Sequence, residues 1–356
     1  MNDGTAQTAQ TAPATPTATE ADLPVLVEVT RGPMTESRHR GSAIVVDADA
    51  RVVGAWGDTE SPVYPRSAIK PVQALPLVES GAVEAFGLGD AEIALACASH
   101  AGEPRHVAVV TAWLDRIGLG VDDLECGPQV PTHDDSAAAL AASGGTPTRA
   151  HNNCSGKHTG MLSTAVQLGD PTAGYVKYDH PVQQRLLGLL EQICGLDLGD
   201  APWGIDGCSI PTIAVPLGNL ALAMARFVDP DRHLPEKRAA AARRIAAAMV
   251  AEPFMVAGTG RFCTAVLQLA DGRALVKTGA EGVFMAGLPE HGLGIALKIE
   301  DGATRGAEAA MAALLHHFGA LDEAGWTALA GQAQPVLLNR AGIEVGAIRA
   351  SAGWPA

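Results

Sequence analysis

The sequence predicts an α+β fold in the mixed α/β class: a largely antiparallel sheet built from both chain ends, with flanking helices and a helical middle region. Three observations predict it. β-branched alternating runs open the ordered chain, Ala- and Leu-rich stretches at helical spacing fill its middle, and strand texture with Asp-Gly turns returns near its end. A doubly wound sheet would alternate short strands and helices throughout, and no internal repeat points to a solenoid. At 356 residues the chain can bury a substantial core, in about one or two lobes of roughly 150 residues each.

The first 22 residues, MNDGTAQTAQTAPATPTATEAD, are rich in Thr, Ala and Pro and bury too little surface to offset ordering entropy, so they read as a loose tail. Residues 23–356 read as one folded domain. It opens with LPVLVEVTRG; SAIVVD and VVGAWG then flank the ADAR turn as a hairpin. From Tyr64 to about Val250 the segments PVQALPLVESGAV, RHVAVVTAWLDRIG, VQQRLLGLLEQICG and EKRAAAARRIAAAMV have helical spacing with Gly or polar stops. TAVLQLADGRALVKTGAEGVFMAG and LGIALKIEDG restore strand texture before a last Ala-rich helix around Ala307 to Phe318.

Composition excludes several classes. Forty-seven per cent apolar residues are too many for a disordered chain, while 25 basic against 39 acidic residues, net −14, disfavour nucleic acid and anionic membrane surfaces. The uncharged run Cys208 to Ala225 is interrupted by Pro211, Pro216, Gly218 and Asn219, which suits a buried core segment rather than a membrane span. Six cysteines are too sparse for a disulfide scaffold, and the N-terminus has neither a basic nor an apolar leader region, so a cytoplasmic location is expected. The basic KRAAAARR cluster at Lys237 to Arg244 reads as a solvated helix face.

Five segments could carry chemistry. In YPRSAIKP, Ser67 and Lys70 are three apart, neighbours on one helical face, and Pro71 puts a helix start nearby, with Ser67 at or near its N-cap. There the helix dipole and burial would lower the pKa of Lys70 and leave a neutral amine able to take the serine proton; an ordinary N-cap serine is the bland alternative. In ACASHAGEPRH, Ser99 and His100 end an apolar run and precede a glycine, facing a cleft or capping the next helix. HNNCSGKHTGML, from His151 to Leu162, is too polar for core and reads as a binding loop ahead of a helix. In GIDGCSIPT, Asp206 and Cys208 are two apart, on one face of a strand or converging in a tight turn. In LVKTGAEGVFMAG a strand ends in Lys277, Thr278 and Gly279, as in the Lys-Thr-Gly element of penicillin-recognising enzymes, or else carries an exposed edge lysine. With no paired Cys-x-x-Cys motifs, spacing by itself does not mark Cys154 and Cys208 as metal ligands.

Taken in order, RSAIKP, SHAGEPRH, HNNCSGKHTGML, GIDGCSIPT and VKTGAEGVF resemble the motifs of the bacterial asparaginase II family, the rhizobial-type or class 3 L-asparaginases, from about Leu26 to the C-terminal strands. The resemblance implies a serine β-lactamase/glutaminase-like catalytic domain over residues 23–356, a homodimer, and hydrolysis of L-asparagine to L-aspartate and ammonia. It implies Ser67 with Lys70 as one Ser–Lys tandem, Ser99 with Lys277 as a second, and a Zn2+ site of Cys154, Lys157 and Cys208. Arg66, His158 and Asp206 are then candidates to grip the substrate, with Asp206 just behind the metal ligands. Lysine is an unusual zinc ligand, because only its neutral amine can donate, and His158 is its rival. In the expected mechanism Ser67 attacks the side-chain amide while Ser99 and Lys277 relay protons, and the two serines can exchange roles. The alternatives are a penicillin-recognising or glutaminase-type acyl-serine hydrolase and a non-catalytic zinc-binding protein; a zinc-dependent hydrolase is disfavoured because His-Glu-x-x-His is absent.

Overall fold

The computed structural model describes residues 23–356, and the expected tail over residues 1–22 lies outside the described residues. The chain opens with β1 (Val25–Arg31), the long β2 (Met34–Asp47) and β3 (Val52–Trp56). The ADAR turn lies between β2 and β3 as expected: the Asp47 carboxylate accepts from the Asp49 and Arg51 N–H groups, holding the turn closed. The late strands are β4 (Leu275–Thr278), β5 (Val283–Leu288), β6 (Leu293–Ile299), β7 (Val336–Leu338) and β8 (Glu344–Ala350).

These eight strands form one sheet in the order β7-β8-β1-β2-β6-β5-β4, with β3 paired to β2. Every pairing in it is antiparallel. The two chain ends therefore meet inside it, with Val27 opposite Ala350 and Ile44 opposite Ala296. Near the C-terminus the structure goes beyond the sequence reading, because the Ala-rich helix is followed by another helix and the β7-β8 hairpin. Val336 and Leu338 of that hairpin are exposed, so it lacks the buried alternation that marks a strand in sequence.

The middle supplies α1 (Asp90–Ala96), α2 (Pro104–Arg116), α3 (Ser155–Leu168), α4 (Pro181–Cys194), α5 (Leu217–Val228), α6 (Glu236–Ala251) and α7 (Phe262–Ala270). After the sheet's central strands come α8 (Thr304–His317) and α9 (Glu323–Ala333). The run from Cys208 to Ala225 is core, as expected: a short strand, Pro211–Ile213, leads into α5. In α6 the basic cluster pairs Arg238 with Glu79, Arg243 with Asp231 and Arg244 with Asp90, while Ala239, Ala241 and Ala242 face inward. Among the described residues, no helix is long and apolar enough to cross a membrane.

Helix α5 packs on β2, β5 and β6, while α8 packs on β1, β5, β6 and β8, so the sheet is covered on both faces. This explains why β5 is buried at every position instead of alternating. The α5 side needs glycine: a Cβ at Gly294 would lie 1.9 Å from the Ala221 carbonyl oxygen. Gly294→Ala is expected to lower stability by about 1–3 kcal/mol through overpacking, read as a lower urea midpoint at unchanged slope. A wild-type midpoint would mean that the helix does not approach this closely.

Candidate active site

The first serine sits on a tighter turn than its sequence suggests. Arg66–Ile69 form a 3-10 turn, followed by the single helical turn Lys70–Gln73 with Pro71 near its start. Ser67, expected at or near an N-cap, lies within the 3-10 turn, two residues past its N-cap Pro65 and two before Ile69, the N-cap of the next turn. Ser67 is half-buried, and among the described residues its hydroxyl makes no hydrogen bond. The turn rests on β4 and β5. Gly279, just beyond β4, permits this, because a Cβ there would lie 2.9 Å from the Pro65 oxygen and 3.3 Å from the Ala68 Cβ. The glycine of the Lys-Thr-Gly element thus admits the serine turn.

The second serine is the meeting point of both expected lysines. Lys277 Nζ lies 2.8 Å from Ser99 Oγ, and Lys70 Nζ lies 3.0 Å from the same oxygen. Both lysines are 1% exposed and Ser99 is 8% exposed. Lys277 is therefore not the exposed edge-strand lysine of the bland reading. Its amine also donates to the Thr278 carbonyl at 2.7 Å, and Lys70 donates to the Ala98 carbonyl. Burial, reinforced by the Lys70 charge, pushes the Lys277 amine down to about 7. Ser99 does not cap the next helix either, since α2 has Glu103 as its N-cap. Its backbone N–H is committed to the Val256 carbonyl at 3.0 Å.

A third contact joins this pair of amines to the segment 151–162, expected to be a polar loop outside the core; from Ser155 onward it is the buried first half of α3, with the Ser155 and Thr159 hydroxyls hydrogen-bonded. Lys70 Nζ also lies 3.1 Å from Cys154 Sγ, and Lys157 Nζ lies 3.0 Å from Cys208 Sγ. Cys154 donates a hydrogen bond to Cys208; this, opposed by burial and aided by Lys157, draws the Cys208 thiol pKa down, while the same bond and burial raise that of Cys154. Burial opposes the Lys157 charge, but the two sulfurs beside it prevail and raise its pKa. One thiolate, one thiol and one ammonium therefore converge from α3, the residue before it, and the Asp206–Ile210 turn. Among the described residues, no three His, Cys, Asp or Glu side chains gather into a metal cage.

His158 is fully buried and held neutral, its pKa lowered to about 3 by burial and the Lys157 charge. Its Nδ1 lies 2.7 Å from the Tyr175 hydroxyl, which accepts from the Glu125 N–H at 2.9 Å. The tyrosine proton therefore points at Nδ1, which leaves His158 Nε2–H as a buried donor with no partner among the described residues. Sequence reading missed Tyr175, and nothing in TAGYVKYD marks it. Asp206 accepts from Arg66 Nε at 3.0 Å and from the Gly207 N–H at 2.6 Å, both through Oδ1. Burial would raise its pKa, but Lys157 and Arg66 outweigh that and lower it. Arg66 is a non-glycine residue at φ 50°, a left-handed conformation sustained only where the surroundings enforce it. A cleft of about 430 Å³ opens against it, walled by Ser61, Tyr64, Glu281 and Lys298.

Eight of the ten candidate residues are thus linked: two lysines on one serine, two cysteines and a lysine beside them, and the Arg66–Asp206 pair next to Lys157; His158 follows Lys157 in α3, and the Ser67 hydroxyl bonds to none of them. The family model for L-asparaginase II matches residues 27–350. The chain belongs to the L-asparaginase II family. It is thereby a member of an amidohydrolase family. No curated protein matches the sequence. Among solved structures, a crystal structure of Mglu is similar at 14% identity and TM-score 0.42, with 79% of this chain and 67% of that one covered. Another, of Mglu in its native form at high salt, shares 15% identity at TM-score 0.41, with 78% of this chain covered but only 60% of that one. A β-lactamase from Mycobacterium bovis is similar at 15% identity and TM-score 0.39, over 78% of this chain and 94% of the other.

The Lys277 environment has a thermodynamic signature. A lysine whose folded pKa is depressed binds fewer protons folded than unfolded between about 7 and its ordinary range, so its burden on stability is greatest below pH 7 and eases as pH rises. Lys277→Met is expected to raise the denaturation midpoint more at pH 6 than at pH 9. A gain independent of pH would place the amine in contact with solvent.

Proposed function

We propose that the protein is an L-asparaginase that hydrolyses the side-chain amide through a serine ester. The observation that carries this reading is the Ser99 hydroxyl bracketed by two buried lysine amines, one of them with its pKa near 7. Ser99 Oγ attacks the amide carbon as its proton passes to neutral Lys277. The tetrahedral intermediate expels ammonia, the proton returning from the lysine to the departing nitrogen, because an amide nitrogen leaves poorly unless protonated. Water, deprotonated by the same amine, then cleaves the ester and releases aspartate.

A second reading keeps the attack on Ser67, as the motif order implies, with Ser99 relaying protons between Lys70 and Lys277. What favours it is access: Ser67 is half-buried and its hydroxyl has no hydrogen-bond partner among the described residues, while Ser99 is nearly enclosed. In either reading a zwitterionic α-amino acid suits the neighbouring pair. Arg66 offers guanidinium N–H groups to an α-carboxylate, Asp206 offers its remaining oxygen to an α-ammonium, and the unpartnered His158 Nε2–H can donate to the substrate. Two soft sulfur donors, one of them with its thiol pKa drawn down, suit zinc, and Cys154, Cys208 and Lys157 would hold it, the lysine only after giving up the proton that the two sulfurs favour. When bound, zinc supplies a fixed positive charge that orients the substrate and this loop. A homodimer is part of the proposal, with a mass of twice 36.5 kDa expected by light scattering.

Ammonia release from asparagine and glutamine tests the reading. Ser99→Ala is expected to lower kcat by at least about 10³-fold. In the first reading Ser67→Ala falls much less, and the trapped ester maps to the Ser99 peptide; an ester on Ser67 would reverse the assignment, and no ammonia from wild type would end both readings. Because the base is neutral Lys277, kcat should rise with pH through about 7 and level off above it. A pH-independent kcat over that range would exclude Lys277 as the base. Chelation is expected to raise the Michaelis constant more than it lowers kcat; complete loss of turnover at saturating asparagine, with the fold intact, would show that the metal takes part in the chemical step.

A further inference from the structure

His100 follows Ser99 directly and is 1% exposed, yet the proposed chemistry leaves it without a role. A histidine beside a reactive serine invites the role of base, but its ring points away. The Gly102 N–H donates to Nδ1 at 3.1 Å, so the ring proton sits on Nε2, which lies 2.9 Å from Ser155 Oγ. Ser155 donates its own proton to the Ala150 carbonyl at 2.9 Å and therefore accepts from the imidazole. Both ring nitrogens are saturated, and burial, with His106 and Lys70 nearby, holds the ring neutral. The ring stacks on His106 at 4.8 Å, which stacks on Phe254 at 4.5 Å.

We propose that His100 is a positioning residue, a strut that fixes the Ser99 segment against the start of α3 through its Nε2–H···Ser155 hydrogen bond. Ser155 is the first residue of α3 and follows Cys154; Lys157 and His158 lie in the same turn. The opposite side of the Ser99 segment is stitched to 256–257, by Ser99 N–H to Val256 and Ala101 N–H to Ala257. On the α3 side the backbone gives one bond, His100 N–H to Asn153 at 3.1 Å, and the imidazole adds the second. The strut thus sets where Ser99 Oγ sits between the two amines, and it links that position to the loop bearing Cys154. The inference rests on the reading of Ser99 as the activated hydroxyl.

Gln and Asn separate this role from packing. The Gln amide reaches the Nε2 position and can donate to Ser155, whereas Asn reaches only the Nδ1 position. His100→Asn is expected to lower kcat on asparagine by about 10- to 100-fold with the Michaelis constant nearly unchanged, since a small misplacement of a reacting group costs this much. His100→Gln should recover most of that loss. Ser155→Ala should match His100→Asn, and the double variant should be no worse than either single one. Equal kcat for the Gln and Asn variants, losses that track melting temperature, or additive losses in the double variant would overturn the strut. Should wild type release no ammonia from asparagine, the asparaginase reading fails separately; the strut is then read from the rate at which a fluorophosphonate labels Ser99, followed by peptide mass. The same order of rates supports it, and an unlabelled Ser99 or equal rates overturn it.

Discussion

Two lysine amines within 3.0 Å of one serine oxygen, in a nearly dry interior, are the constraint around which the rest of the structure is arranged. Two like charges gathered on one oxygen repel strongly at low dielectric, which favours the loss of a proton from one of them. Lys277 is the amine whose pKa falls, through its burial first and the Lys70 charge second. The protein thereby obtains a base near neutrality without a histidine. The cost is a site that the fold must hold together from five separate stretches of chain.

The surrounding architecture meets that requirement through the sheet. Lys277 comes from β4, an edge strand whose partner β5 is buried on both faces by α5 and α8. Gly279 lets the 3-10 turn bearing Ser67 and Lys70 press onto the end of that strand, and Gly156 plays the same part on the other side. A Cβ at Gly156 would lie 2.3 Å from the Leu95 oxygen, so α3 can lie against α1, whose C-terminal end leads into Ser99. Both contacts are backbone against backbone. They leave little freedom for the site to drift, because adjustment would require moving whole elements instead of turning a side chain.

Much of this was legible in the sequence, and unevenly so. The strand-rich ends and helical middle are written in hydrophobic period, which survives because each element buries one identifiable stripe or face. The β7-β8 hairpin was not legible, since exposed Val336 and Leu338 look the same as loop residues. At the site, residue types in order marked all ten candidates, but spacing could not say which amine meets which hydroxyl. Ser67 and Lys70 are three apart, and that adjacency suggested a pair; the fold turns the Lys70 amine toward Ser99, 29 residues away in sequence. Tyr175 was invisible for a related reason: its part is to set the tautomer of His158, and no local pattern encodes a tautomer.

The contact between Lys70 and Cys154 bears on how the serine region and the sulfur region communicate. Among the described residues, Lys70 is the one side chain hydrogen-bonded to both Ser99 Oγ and Cys154 Sγ. The sulfur it touches is the thiol whose proton is shared with Cys208, so any change in the occupancy or protonation of that pair alters what Lys70 can donate to. The serine on the other side of Lys70 must then lose or gain a share of that hydrogen bond. The imidazole strut from His100 to Ser155 spans the same gap by a neutral route. One link carries charge and the other carries position, so the Ser99 segment cannot move relative to Cys154 without breaking a buried hydrogen bond.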